Sequence, residues 1–151
     1  MRGPELRTAR LRIVAGLILC ALLLLTFTSC SGRREASQLE DNAWILTAYA
    51  VGGAMKDALP TPLVDATFAD GKLSGNGGVN QYSGTYEVDG SKMRIGPLAS
   101  TAMAGDPAVM AQEAAYLANL EDAGAFNVDG DTLTIKDASA DIILEFRSAG
   151  E

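Results

Sequence analysis

Three Asp-Gly dipeptides, Asp70-Gly71, Asp89-Gly90 and Asp129-Gly130, each stand between two runs in which apolar and polar residues alternate. Asp-Gly suits the two-residue turn of a β-hairpin because both residues tolerate positive φ, and alternation gives each arm one face for a core. Around the second dipeptide, Tyr86 and Val88 alternate on one arm and Met93 and Ile95 on the other. Around the third, Phe126 and Val128 face Leu133 and Ile135, while Val64 to Ala69 with Lys72 to Gly75 makes the hairpin around the first. Trp44 to Val51 predicts an opening strand. Ile142 to Phe146 predicts a closing one, with Ile142, Leu144 and Phe146 on one side and Ile143 and Glu145 on the other. The sum is about eight short strands, mostly antiparallel.

The stretch from Pro107 to Ala123 breaks this pattern. Asp106 is a good N-cap, Pro107 suits a first helical turn and Gly124 suits the C-terminal cap. Met110, Ala114, Leu117 and Leu120 (or Glu121), next to Val109, fall on one face of the predicted helix. A single amphipathic helix must bury that stripe against another element, here the concave side of the sheet. The predicted fold class is α+β, mainly antiparallel β: a curved, barrel-like sheet of about eight strands packed around one helix.

The N-terminus reads as an address. Arg2, Arg7, Arg10 and Arg12 stand against the single Glu5 and precede an uncharged run from Ile13 to Ser29 centred on Leu17 to Leu25. This is the order of a secretory signal peptide, placed at residues 1–29. Phe27-Thr28-Ser29-Cys30 resembles the lipobox of bacterial lipoproteins, in which a Cys preceded by small residues is acylated on sulfur and becomes the mature N-terminus. Cys30 is therefore the expected lipidation site, with Phe27 in place of the more usual Leu. Cys20 leaves with the signal peptide, so no intramolecular disulfide remains available.

Cleavage removes four Arg and one Glu from 12 basic and 19 acidic residues, leaving 8 and 18, a net charge of -10 on a body of 122 residues. Anionic headgroups repel such a surface, so attachment to the membrane rests on the acyl chains of Cys30. Residues 30–41 read as the lipidated N-terminus followed by a flexible tether (SGRREASQLED), and residues 42–149 as the folded domain. The expected location is the cell envelope, and the outer membrane if the cell has two, since Ser31 rather than Asp follows the Cys.

Composition excludes several chemistries. The chain has no His, which removes Ser-His-Asp and Cys-His nucleophile pairs and imidazole metal ligands. A net charge of -7 over the full chain argues against nucleic acid, whose binding proteins present basic patches. Gly75 to Asn80 lacks the Lys and following helix of a phosphate loop and reads as a bend or bulge. Asn127 to Asp131 lacks the spacing of a calcium loop and reads as a hairpin turn. No metal or cofactor is expected.

Several ordered segments carry a family resemblance. GNGGVNQYSG from Gly75 to Gly84, GSKMRIGPLASTAMA from Gly90 to Ala104, EAAYLANL from Glu113 to Leu120, DGDTLTI from Asp129 to Ile135 and the closing Leu144-Glu145-Phe146 resemble the META domain of HslJ-type bacterial lipoproteins. Trp44-Ile45-Leu46 fits the opening strand of that family, and the likeness spans roughly Asn42 to Ala149. The resemblance implies an antiparallel barrel-like sheet with one helix. Many family members carry Cys before the motif Asn and after the Met-Ala pair, where this chain has Val79 and Gly105. The joint departure suits loss of a paired disulfide and argues against a redox role.

Glu113 lies between Met110 and Leu117 on the expected apolar side of the helix. A half-buried carboxylate needs hydrogen-bond partners. The motifs of the resemblance offer Asn80 and Thr101, with Tyr82 close in sequence, and these groups are expected to converge as a structural bracket or a small polar binding site. The acidic residues are otherwise scattered over turns, and no spacing pairs two of them for acid-base work. The functional expectation is a noncatalytic, membrane-anchored envelope lipoprotein that binds a protein partner or a small apolar ligand, with a part in envelope stress tolerance implied by the resemblance. The alternatives are a pilot or assembly factor for another envelope protein, and a carboxylate-based hydrolase.

Overall fold

A computed structural model describes residues 31–150. The expected signal peptide at 1–29 and the lipidation site Cys30 lie outside the described residues. From Ser31 the chain forms helix α1 (Ser31–Glu40), then strands β1 (Ala43–Val51), β2 (Ala54–Asp57), β3 (Asp65–Ala69), β4 (Lys72–Asn76), β5 (Gln81–Asp89), β6 (Lys92–Ile95) and β7 (Ala99–Ser100). Helix α2 (Pro107–Glu121) follows, and β8 (Ala125–Asp129), β9 (Thr132–Lys136) and β10 (Ile142–Ser148) complete the chain.

Eight strands in the order β10-β9-β8-β6-β5-β4-β3-β1 are joined edge to edge, and β10 pairs back with β1 to close an antiparallel barrel. Two short strands extend it: β2 continues beside the second half of β1, and β7 lies against the start of β5. Eight strands leave an interior that side chains can fill. Trp44, Phe68, Tyr116, Phe126 and Phe146 do so, with Leu73, Leu133, Ile135 and Leu144, all buried. The barrel is least well zipped between β6 and β8, which share the one register pair Lys92 and Ala125. Backbone bonds from Met93 N to Gly124 O and from Phe126 N to Ser91 O flank that pair.

Each Asp-Gly dipeptide turns a hairpin, by two different geometries. Asp70 and Gly71 are both at positive φ and form the loop between Ala69 and Lys72. At the other two, Asp89 and Asp129 end their strands, and Gly90 and Gly130 alone take positive φ as the first loop residue, the pattern of a type II′ turn. A fourth tight hairpin joins β1 to β2 through Gly52-Gly53, both at positive φ. Gly-Gly is itself a hairpin signal, and the strand after it escapes a search for alternation because all four of its residues are exposed.

Three expectations are corrected. The flexible tether within residues 30–41 is, from Ser31, helix α1 docked on the barrel: Leu39 is fully buried and its carbonyl accepts from Trp44 Nε1 at 2.9 Å. Tyr86 OH donates to the Glu40 carboxylate. Periodicity missed this because, among the α1 side chains described (residues 36–40), Leu39 is the single buried one.

In β10 the alternation is broken by a register shift between Ile142 and Leu144. A bulge turns one extra residue, so Ile143 is buried beside Leu144 while Ile142 is 40% exposed.

Helix α2 buries Val109, Gln112, Glu113, Tyr116 and Leu120, whereas Met110 is exposed. Its inward face is thus rotated from the apolar stripe toward three residues whose polar atoms need partners within the fold. Asp106 caps it as expected, its carboxylate accepting from Ala108 N at 2.8 Å and Val109 N at 3.4 Å. The helix stops at Glu121, with Asp122 rather than Gly124 at the C-cap. It packs on β1, β10 and β6 and so crosses the mouth of the barrel.

Candidate functional site

The bend between β4 and β5 brings residues 77–80 under α2, where Glu113 projects from the helix's buried face. Glu113 Oε2 accepts from the backbone N–H groups of Val79 at 2.9 Å and Asn80 at 2.7 Å, and Oε1 accepts from Asn80 Nδ2 at 2.7 Å. Asn80 Oδ1 in turn accepts from Thr101 Oγ1 at 2.8 Å and Met103 N at 2.7 Å. Both Asn80 and Glu113 are about 5% exposed, so these bonds replace water rather than compete with it. The approach depends on the absence of a side chain at Gly77, where a Cβ would stand 2.7 Å from Glu113 Cγ and 2.8 Å from Oε2.

Of the four residues singled out in the sequence, Asn80, Thr101 and Glu113 converge and Tyr82 does not. Tyr82 lies two residues beyond Asn80, inside β5, whereas Asn80 sits in the bend that precedes that strand. There its hydroxyl is 2.6 Å from Tyr116 OH and donates to Asp65 O at 2.9 Å. Burial raises both phenols well above their usual range, and the nearby Asp65 carboxylate adds to the effect. Burial also raises Tyr86, reinforced by its hydrogen bond to Glu40.

The arrangement ties two chain segments to one helix. Each Glu113 oxygen is occupied by donors from the Val79-Asn80 peptide and the Asn80 amide, and the amide oxygen is occupied by the segment from Thr101 to Met103. A carboxylate held this way acts chemically as an anchor. The sequence profile of the META domain matches residues 37–150, a span that includes the bracket and starts inside α1.

The chain belongs to the META domain family.

Solved structures share the fold. An NMR structure of a protein from Burkholderia xenovorans has a TM-score of 0.63 at 24% identity, covering 76% of this chain and 86% of that one. A second NMR structure has a TM-score of 0.57 at 20% identity, covering 75% of this chain and 93% of that one. A crystal structure of a DUF4847 family protein from Bacteroides vulgatus ATCC 8482 has a TM-score of 0.53 at 15% identity, covering 74% of this chain and 94% of that one. At these identities the likeness concerns the fold. No curated protein sequence matches the chain.

Within this META domain Val79 and Gly105, the two departures from the resemblance noted in the sequence, are adjacent. A Cβ at Gly105 would stand 3.3 Å from Val79 Cβ and 2.6 Å from Val79 Cγ2. Val79 thus occupies the space over Gly105, which gives a steric reason for the two departures to occur together.

Sequence reasoning missed three participants. Gln112 is 1% exposed; its Oε1 accepts from Leu59 N at 2.7 Å, and its Nε2 is buried without a hydrogen-bond partner among the described residues. Asn119 Nδ2 donates to Ala50 O at 2.9 Å and Ile143 O at 3.3 Å. Tyr116 supplies the second buried phenol. Spacing was the available signal: Gln112, Glu113, Tyr116 and Asn119 lie at intervals of three and four along one side of α2.

Proposed function

We propose that this META protein is a noncatalytic binding protein of the cell envelope, held to a membrane by acyl chains on Cys30 and engaging a protein partner through the outside of its barrel. The anchor rests on the order of arginines, apolar run and Phe27-Thr28-Ser29-Cys30. The observation that favours a protein partner over a small apolar ligand is the filled interior: five aromatic side chains, Trp44, Phe68, Tyr116, Phe126 and Phe146, occupy the space such a ligand would need. The engagement of the Glu113 carboxylate as an anchor supports the noncatalytic reading. A part in envelope stress tolerance follows from the resemblance to HslJ-type lipoproteins.

A pilot or assembly role is the form of this reading that β2 favours. Ala58 N donates to Thr47 O, and the β1–β2 register then directs the backbone groups of Met55 and Asp57 away from β1, as a strand edge open to another chain. The test is twofold. Mass spectrometry of the membrane fraction should find a diacylated or triacylated N-terminus at Cys30, and Cys30→Ser should release the protein. Photocrosslinking in cells from exposed positions around the barrel, including Gln81 beside the bracket, should capture one envelope protein reproducibly. An unmodified chain beginning at Met1, or no capture from any face, overturns the reading.

A further inference from the structure

The β1–β10 ladder ends early. Its last register pair is Tyr49 with Leu144, and beyond it the two strands separate around the Asn119 amide, which bonds Ala50 O on one side and Ile143 O on the other. The gap continues as a cleft of about 620 Å³ between the β1–β2 hairpin and the β9–β10 turn. Met55, 41% exposed, and Ile142, 40% exposed, line it with Ala50 and Ile143, and Val51, 49% exposed, stands beside it. Grouped apolar side chains of this size at one cleft mark a contact surface more than scattered ones do.

Charge selects the occupant. Asp137 and Asp141 line one wall, and no Lys or Arg is among the lining residues. The wall is held open by a built turn: Asp137 Oδ1 accepts from Ser139 N at 2.8 Å and Asp141 N at 3.0 Å, and Ala140 takes a left-handed φ of 68°. The Asp141 side chain itself is exposed. A second copy of this acidic chain would bring like charge to the same wall.

We propose that this cleft docks an extended segment of a partner protein that presents apolar side chains flanked by lysine or arginine. The apolar side chains sit against Met55 and Ile142, and the cation faces Asp141 and Asp137. This assignment rests on the protein-partner reading above and adds to it a place and a chemistry.

The test uses the chain from residue 30 carrying Cys30→Ser, isotopically labelled for NMR. The probes are two synthetic peptides of about six residues, an ordinary strand length, one alternating lysine with valine and the other glutamate with valine. The lysine peptide should shift resonances of Ala50 to Met55, Asn119 and Asp137 to Ile143, and the glutamate peptide should shift none. Asp141→Asn and Met55→Ser, both exposed and outside the core, should each leave the melting temperature unchanged; the first should weaken binding by about fivefold, the upper range for a solvent-screened charge pair, and the second several-fold through lost apolar contact. Absence of binding, binding by either variant as tight as by the parent chain, or shifts spread over the acidic surface overturns the assignment. If the peptide fails while crosslinking captures an envelope protein from another face, the cleft is refuted and the partner reading stands. If crosslinking captures nothing from any face, the partner reading falls with it.

Discussion

Glu113→Gln changes one atom type in the bracket and should be strongly destabilising. The carboxylate accepts three hydrogen bonds, two from backbone N–H groups and one from Asn80 Nδ2. A glutamine amide has one acceptor and one donor end. If its oxygen takes the two backbone donors, its nitrogen meets Asn80 Nδ2 at the 2.7 Å now spanned by a hydrogen bond. Asn80 cannot relieve the conflict by rotating its amide, because its oxygen already accepts from Thr101 and Met103. One charge-assisted bond is lost, two others lose their charge assistance, and a buried donor is left facing a donor, together about 2 to 4 kcal/mol. For a domain of this size that lowers the melting temperature by roughly 8 to 16 °C. Thermal and urea unfolding of the chain from residue 30 measure it. Adding Asn80→Asp to Glu113→Gln returns an acceptor to the amide nitrogen, but it also replaces the donor that Asn80 Nδ2 offers Met103 O at 3.3 Å, so the double variant should not regain the stability of the parent chain. An unchanged melting temperature in the single variant would refute the bracket.

Three other expectations follow from the same geometry. Val79→Cys with Gly105→Cys should oxidise to a disulfide, since the Cβ separation of 3.3 Å lies close to the bridging range. Closing the 27-residue loop should add up to about 3.5 kcal/mol, abolished by reductant, whereas Gly105→Ala alone, which forces a methyl onto Val79, should destabilise. Leu39→Ala should cost about 2 to 5 kcal/mol for a fully buried leucine, and a chain truncated to begin at Asn42 should be destabilised as well; equal stability of the truncated and longer chains would return α1 to the status of a tether. Tyr82, Tyr116 and Tyr86 have folded pKa values raised by burial, so their stabilising contribution is complete below the unfolded value of about 10 and is lost as pH rises beyond it. Stability to urea should therefore be unaffected by these groups up to about pH 9 and fall above about pH 10, by up to roughly 1.4 kcal/mol per pH unit for each of the buried phenols Tyr82 and Tyr116. Replacing Tyr82 and Tyr116 together with Phe should flatten that fall, and an unaltered slope would count against the raised values.

The hairpins and the helix were legible because their signals are local. Asp-Gly turns constrain φ within two residues, and Asp106-Pro107 marks a helix start without reference to the rest of the chain. The inward face of α2 was not legible. Met110 looks more like a core residue than Gln112 does, yet Gln112 is buried and Met110 exposed, because Leu59, Val79 and Asn80 arrive from distant segments to satisfy polar atoms on that face. The bracket was partly legible: a carboxylate among apolar neighbours announces that partners exist, and Asn80 and Thr101 were identified through the resemblance. Tyr82 is near the bracket in sequence only: the chain passes from the bend at Asn80 into β5, and the Tyr82 hydroxyl meets Tyr116 and Asp65 O instead.

By itself the sequence determined which segments extend, where they turn and where one helix begins. Those are properties of short windows, set by backbone sterics and periodicity. Only the tertiary structure decided that β10 returns to β1 and closes the barrel, that α1 docks through Leu39, that Val79 covers Gly105, and that the ladder opens at Asn119 into an acidic cleft. Each of these joins residues far apart in the chain or turns on a single side chain, and such contacts form because closure excludes water from surfaces that no local pattern brings together.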